Sequence, residues 1–254
     1  MNARFKARLK NREKLIGTLI TLPAPELSEI AAGAGFDWLF LDMEHGQLDA
    51  AGVQRIAQAL GDLCPCLVRL PANDEMWVKK ILDIGVAGLI FPHLNTAEEA
   101  EALVHWCRYA PQGTRSVGIS RAHGYGRRFD EYLSKANADT TLVAQIEHID
   151  AVRNIDWILE VPGIDAAFIG PYDLSASMGK PGRVADPDVR EAVALVRNAC
   201  AKRNLPAGIF ARDADTASQA LSEGFTFVAA GMDVTLYSGA AASVVDKLRA
   251  SSGH

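Results

Sequence analysis

The residues with the widest chemical reach in this chain of 254 residues lie at the ends of short apolar runs. Asp42-Met43-Glu44-His45-Gly46 closes one run, Arg69 another, Gln145-Ile146-Glu147 a third and Gly170-Pro171-Tyr172-Asp173-Leu174-Ser175 a fourth. Glu147 and Asp173 end neighbouring runs, and two unpaired carboxylates converging on one point repel unless a cation lies between them. Two carboxylates with no cysteine or evident histidine ligand beside them favour a hard divalent ion, Mg²⁺ or Mn²⁺, with coordination positions left for water and substrate oxygens. Either acid alone would serve equally well as a helix cap.

Arg69 emerges from an otherwise apolar run, Cys66-Leu67-Val68-Arg69-Leu70. A guanidinium there needs an anionic partner, which is Glu44, Asp42 or a substrate oxyanion. His45 sits on a loop, and its ordinary pKa suits proton transfer near neutrality. His93 and His148 follow other runs and stand close enough to line the same site, whereas His105 falls in a helical pattern and His254 is terminal. No lysine falls inside a strand, which disfavours Schiff-base chemistry. Backbone N–H groups around Gly170–Asp173 are placed to hold a carboxylate.

These groups need a frame that brings many strand ends together. From residue 15 onward, β-branched runs alternate with helical patterns of apolar residues three or four apart. The strands are read at Leu15–Leu22, Trp38–Met43, Cys66–Leu70, Gly88–Leu94, Leu142–Glu147, Ala166–Gly170, Ala207–Ala211 and Phe227–Ala230. Eight βα units predict an α/β fold, a (β/α)₈ TIM barrel filling 1–254 as one domain. Arg4, Lys6, Arg8, Lys10, Arg12 and Lys14 mark a solvated leading helix, and the segment Gly113–Thr141 an insertion, either a lid or a surface excursion. No glycine-rich dinucleotide turn follows the first strand, and the ends of strands seven and eight carry one glycine, too few for a phosphate cradle.

Composition removes other classes. Apolar residues make up 49% and charged ones 22%, with a net charge of −5, so neither nucleic acid nor an anionic membrane surface is an expected partner. No apolar run reaches the length of a membrane helix. Cys64, Cys66, Cys107 and Cys200 read as reduced core thiols, in keeping with a cytoplasmic protein.

With these residues in place, the chain resembles the HpcH/HpaI family of metal-dependent pyruvate aldolases. The likeness is carried by Phe36–His45, Val68-Arg69-Leu70-Pro71, Gly88–His93, Gln145-Ile146-Glu147, Val161–Asp165 and Gly170–Ser175, and it extends from about residue 5 to 250. It implies cleavage of 4-hydroxy-2-oxo acids (2-keto-3-deoxy sugar acids or 4-hydroxy-2-oxo-dicarboxylates) to pyruvate and an aldehyde through a pyruvate enolate. The implied cofactor is Mg²⁺, Mn²⁺ or Co²⁺ on Glu147 and Asp173, with Gln145 beside it. Gly170, Pro171, Tyr172 and Ser175 would form the substrate-binding wall. Arg69 would stabilise the enolate, and His45 would act as acid and base. Asp83 would orient that histidine across a subunit boundary, in a homohexamer, a trimer of dimers that exchange their C-terminal helices. Tyr172 stands where many members carry a small residue. Two neighbouring chemistries, oxaloacetate decarboxylation and CoA-thioester cleavage, would use the same metal and enolate, the second needing a basic groove. A non-catalytic metabolite-binding barrel would need neither the carboxylate pair nor Arg69.

Overall fold

The computed structural model describes residues 1–252, so His254 lies outside the described residues. Its strands are β1 (Leu15–Ile20), β2 (Trp38–Asp42), β3 (Cys66–Arg69), β4 (Gly88–Phe91), β5 (Thr141–Ile146), β6 (Ala166–Ile169), β7 (Ala207–Ala211) and β8 (Phe227–Met232). They pair in sequence order, all parallel, and β1 closes on β8 to make a barrel. The helices are α1 (Asn2–Lys10), α2 (Pro25–Ala34), α3 (Ala50–Leu60), α4 (Glu75–Leu82), α5 (Ala97–Cys107), α6 (Phe129–Asp139), α7 (Ile149–Arg153), α8 (Ile155–Glu160), α9 (Pro171–Ser177), α10 (Pro187–Lys202), α11 (Ala214–Ser222) and α12 (Asp233–Ser252). The TIM-barrel expectation is therefore met.

β2, β3, β5 and β6 end one residue before the sequence reading, and β1 and β4 fall short by more for identifiable reasons. β1 stops at Ile20 because the N–H groups of Thr21 and Leu22 both donate to the carboxylate of Asp233, each at 2.9 Å. β4 stops at Phe91 because Pro92 has no N–H to give a ladder.

The barrel interior is aromatic. Trp38 stacks on Phe227 with ring centroids 4.1 Å apart, and Phe168 meets both Trp38 and Phe40 edge-on. Such bulk requires bare backbone opposite it. A Cβ on Gly17 would lie 2.4 Å from the Trp38 indole, and one on Gly208 would lie 2.6 Å from the Phe168 ring.

The leading helix departs from expectation, since it is not simply solvated. Phe5 and Leu9, one turn apart on α1, are buried with the interior residues, and Phe5 meets Phe227 at 6.3 Å. Lys6 between them is also buried, with Nζ 2.8 Å from Asp165 and donating to the Thr140 carbonyl. The helix stoppers the end of the barrel where the strands begin. Burial lowers the Lys6 pKa against the pull of Asp165.

The insertion is also pinned at that end. Arg121 donates to the carbonyls of Ile84 and Ala57, which lie at the C-terminal ends of α4 and α3. His123, fully buried, accepts from the Gly126 N–H at Nδ1, which leaves Nε2 to donate to the Gly118 carbonyl 2.8 Å away. Among the described residues no helix is long and apolar enough to cross a membrane. All four cysteines are free and buried, and burial pushes each thiol up to about 12.

Candidate active site

At the C-terminal ends of the strands, where barrels of this kind place their chemistry, lies a cavity of about 320 Å³. Its wall includes His45, Arg69, Gln145, Gly170, Pro171, Tyr172 and Asp173, with Phe40, Phe168 and Phe210 as apolar floor and side. A larger cavity of about 780 Å³ opens beneath α1 at the opposite end. None of the residues singled out from strand ends lines it.

Arg69 is placed by register. It pairs with Asp42 across β2 and β3, so the two side chains leave the sheet together. Nε and Nη2 grip the two Asp42 oxygens at 2.9 and 2.7 Å, and Nη1 lies 3.0 Å from Glu44 Oε2. The guanidinium carbon also sits 5.4 Å from the Phe40 ring centroid. Burial alone would lower the Arg69 pKa, but hydrogen bonds and charge from Asp42, with Glu44 behind, leave it raised. Both protein partners foreseen for Arg69 are thus engaged at once.

Glu147 is nearly sealed, at 2% exposure. Its Oε2 accepts from Gln145 Nε2 and lies over Gly170, where a Cβ would come within 3.0 Å of it. Its Oε1 accepts from the His93 backbone N–H at 2.7 Å and lies 3.3 Å from His93 Nδ1. Desolvation raises the Glu147 pKa and Glu44 adds to it, against the lowering effect of the His93 N–H. A further buried acceptor, Gln145 Oε1, has no hydrogen-bond donor among the described residues, and Glu44 Oε2 has only the ion pair with Arg69. A surplus of buried acceptors beside carboxylates is the environment a divalent cation relieves, so the residues present fit such an ion.

The remaining residues separate clearly. Asp173 lies half-buried in the first turn of α9 on the cavity wall, beside Tyr172, whose ring is 6.2 Å from that of Phe210. It does not join the trio of Glu44, His93 and Glu147, whose ligand atoms lie within 4.8 Å of one another. Ser175 is fully buried, donating to the Tyr172 carbonyl and accepting from Gly182, so its hydroxyl is used inside the fold rather than on the cavity wall. His148 turns away to accept from the Asp150 N–H at the start of α7. Asp83 follows α4 at the other end of the barrel and holds Arg115 at 2.8 Å. The Arg121–Tyr125 loop is pinned at that same end, away from this cavity. Glu44 and His93 are more central than sequence reasoning made them. The signal was present in Asp42-x-Glu44-His45 and in Phe91-Pro92-His93, both at strand ends.

Residues 16–240 match the model of the HpcH/HpaI aldolase/citrate lyase family. The chain belongs to that family. It is 39% identical to a hydroxypyruvate/pyruvate aldolase of Cupriavidus necator over 251 residues, covering 98% of this chain and 93% of the relative. It is 38% identical to a 4-hydroxy-2-oxovalerate aldolase of Rhodococcus jostii, over 91% of this chain and 90% of that one. A crystal structure of a family member from Burkholderia cenocepacia superposes with a TM-score of 0.94 at 34% identity, covering 97% and 99% of the two chains. As a member with aldolase relatives across nearly its whole length, this HpcH/HpaI protein is an aldolase, a carbon–carbon lyase.

Proposed function

We propose that this HpcH/HpaI aldolase uses a divalent cation to cleave 4-hydroxy-2-oxo acids reversibly to pyruvate and an aldehyde. The observation that carries this reading is the meeting of Arg69, Gln145 and Asp173 on one cavity, with Glu147 held directly behind against Gln145 and the Gln145 Oε1 acceptor left without a donor among the described residues. Relatives named for hydroxypyruvate, pyruvate and 4-hydroxy-2-oxovalerate support the substrate class.

Glu147 and Asp173 would hold the cation, with Gln145 orienting Glu147. Bound there, Mg²⁺, Mn²⁺ or Co²⁺ supplies Lewis-acid polarisation of the 2-oxo group. Arg69, immobilised by Asp42, presents fixed positive charge where the enolate oxygen develops and needs little reorganisation to do so. His45, at the open rim, takes the C4 hydroxyl proton directly or through water. The first-turn N–H groups of α9 lack intrahelical acceptors and suit the substrate carboxylate. Phe40, Phe168 and Phe210 keep the floor dry, and Tyr172 borders the aldehyde.

A homohexamer with exchanged C-terminal helices is supported by α12. This helix of 20 residues leaves the barrel with Leu236, Tyr237, Val244 and Val245 exposed, a face that a second copy would cover. A cytoplasmic location is supported by four unpaired cysteines, as expected of a reducing compartment. The deciding experiment is a panel of 4-hydroxy-2-oxo acids assayed for pyruvate release with and without EDTA. Activity should vanish with chelator and return with Mg²⁺, Mn²⁺ or Co²⁺. Irreversible inactivation by borohydride with pyruvate, through a lysine adduct, would overturn the metal reading.

A further inference from the structure

Glu147 faces two ways, and only one of its oxygens belongs to the cavity side. Oε2 is taken by Gln145 beneath Gly170, while Oε1 faces His93. The His93 ring spans from there to Glu44, with Nε2 2.8 Å from Glu44 Oε1. One ligand atom from each of Glu44, His93 and Glu147 lies within 4.8 Å of the other two. The three residues follow β2, β4 and β5, so the sheet fixes the spacing of their backbones.

His93 is held in an unusual place. Its φ is +49°, in the left-handed region where a residue with a Cβ is uncommon. Asn95 Nδ2 donates to its carbonyl, Asn73 Nδ2 donates to the carbonyl of Pro92, and its own N–H is given to Glu147. The side chain is nonetheless 64% exposed. Around it, the carboxylates of Asp42, Glu44 and Glu147 face a single guanidinium, Arg69.

We propose that Glu44, His93 and Glu147 form a second cation site, distinct from the one at Glu147 and Asp173 and selective for borderline metals such as Zn²⁺ or Co²⁺. One imidazole nitrogen and two carboxylates suit such ions, with water completing the shell, whereas Mg²⁺ prefers an all-oxygen octahedron. The site uses the Glu147 oxygen that the catalytic reading leaves over, and it stands or falls separately from that reading.

The test is calorimetric titration of the full-length, chelator-treated protein with CoCl₂, ZnCl₂ and MgCl₂, alongside the visible d–d absorption of bound Co²⁺. Wild type should take one more Co²⁺ or Zn²⁺ than Mg²⁺ per chain. His93→Asn, and His93→Gly as a second variant, both tolerate the backbone conformation and remove the nitrogen ligand. Each should weaken the additional Co²⁺ by about 10-fold or more and change its spectrum, with Mg²⁺ binding unaltered. Asp173→Asn should lose Mg²⁺ and keep the His93-dependent Co²⁺ signal; retained Mg²⁺ there would overturn the catalytic site and leave this one standing. Equal Co²⁺ stoichiometry, affinity and spectrum in wild type and both His93 variants would overturn the proposal and reduce His93 to a hydrogen-bonded bridge between two carboxylates. Loss of all Co²⁺ binding in Asp173→Asn would overturn the independence of the second site.

Discussion

Arg69 and Asp42 face each other across adjacent strands and are joined by two parallel hydrogen bonds of 2.9 and 2.7 Å, both side chains buried. A bidentate pair fixes the guanidinium plane as well as its position. Arg69 therefore combines structural and chemical duties, and its variants should separate them. Arg69→Ala should lose aldol cleavage and also the exchange of pyruvate methyl protons with deuterated water, because both pass through an enolate. It should also be destabilised by about 3–5 kcal/mol in urea unfolding, since Asp42 is left buried and unpaired. Arg69→Lys should recover stability better than exchange. Full exchange in a folded Arg69→Ala protein would confine Arg69 to the ion pair.

Much of this arrangement is legible in the sequence because several strands end in or run directly into polar groups that the barrel turns toward one mouth. Arg69, Glu147 and Asp173 stand out as the polar termini of apolar runs, and period alone locates all eight strands. The rest depends on partners distant along the chain. Nothing local says that Asp233 truncates β1 or that Lys6 of a basic helix finds Asp165. Ser175 lies in a matching stretch of sequence, but only the turn of α9 shows its hydroxyl committed to Tyr172 and Gly182. His93 is visible as a strand-end histidine, yet its reach to both Glu44 and Glu147 depends on a backbone conformation that propensity does not favour.

Tyr172 and Phe210 border one side of the cavity, with their rings 6.2 Å apart, whereas Arg69 and Gln145 approach from other strands. Shortening Tyr172 should therefore change the fit of the aldehyde more than the handling of pyruvate. Tyr172→Ala should alter relative kcat/KM among aldehydes of different length by about 10-fold, the range that one or two pocket methylenes command. Pyruvate proton exchange should be little affected. An unchanged aldehyde profile would move the aldehyde pocket elsewhere on the wall.

The four buried thiols make a pH prediction. Unfolded cysteines titrate near 8.5, whereas burial holds Cys64, Cys66, Cys107 and Cys200 protonated up to about 12. Between those values the unfolded chain releases protons that the folded chain keeps, so the thiol contribution to stability falls as pH rises and is level below about pH 8. The urea midpoint should drop progressively between pH 8.5 and about 10. Replacing one of these thiols, Cys66→Ala, should flatten that slope while lowering stability at pH 7. An aromatic disulfide reagent at pH 8 should find no reactive thiol in the native protein and four after denaturation. One fast native thiol would contradict the burial.

Asp83 provides the sharpest test of assembly. It follows the C-terminal end of α4, and helices that return antiparallel to the strands bring that end to the opposite side of the barrel from His45. Within one chain its carboxylate holds Arg115, whose guanidinium is packed 4.5 Å from the Tyr109 ring. If Asp83 orients a catalytic histidine, that histidine belongs to another subunit. Asp83→Asn keeps an acceptor for Arg115 and should fold, with activity reduced because the imidazole loses its charged partner; His45→Ala should be impaired more severely, losing the proton-transfer group itself. When the two variants are unfolded together, refolded and checked for mixed oligomers, some sites pair a wild-type His45 with a wild-type Asp83, and part of the activity should return. Verified mixing without recovery would place the partner of His45 within its own chain. A fully active Asp83→Asn protein would leave Asp83 with the single task of anchoring Arg115 and the inserted segment.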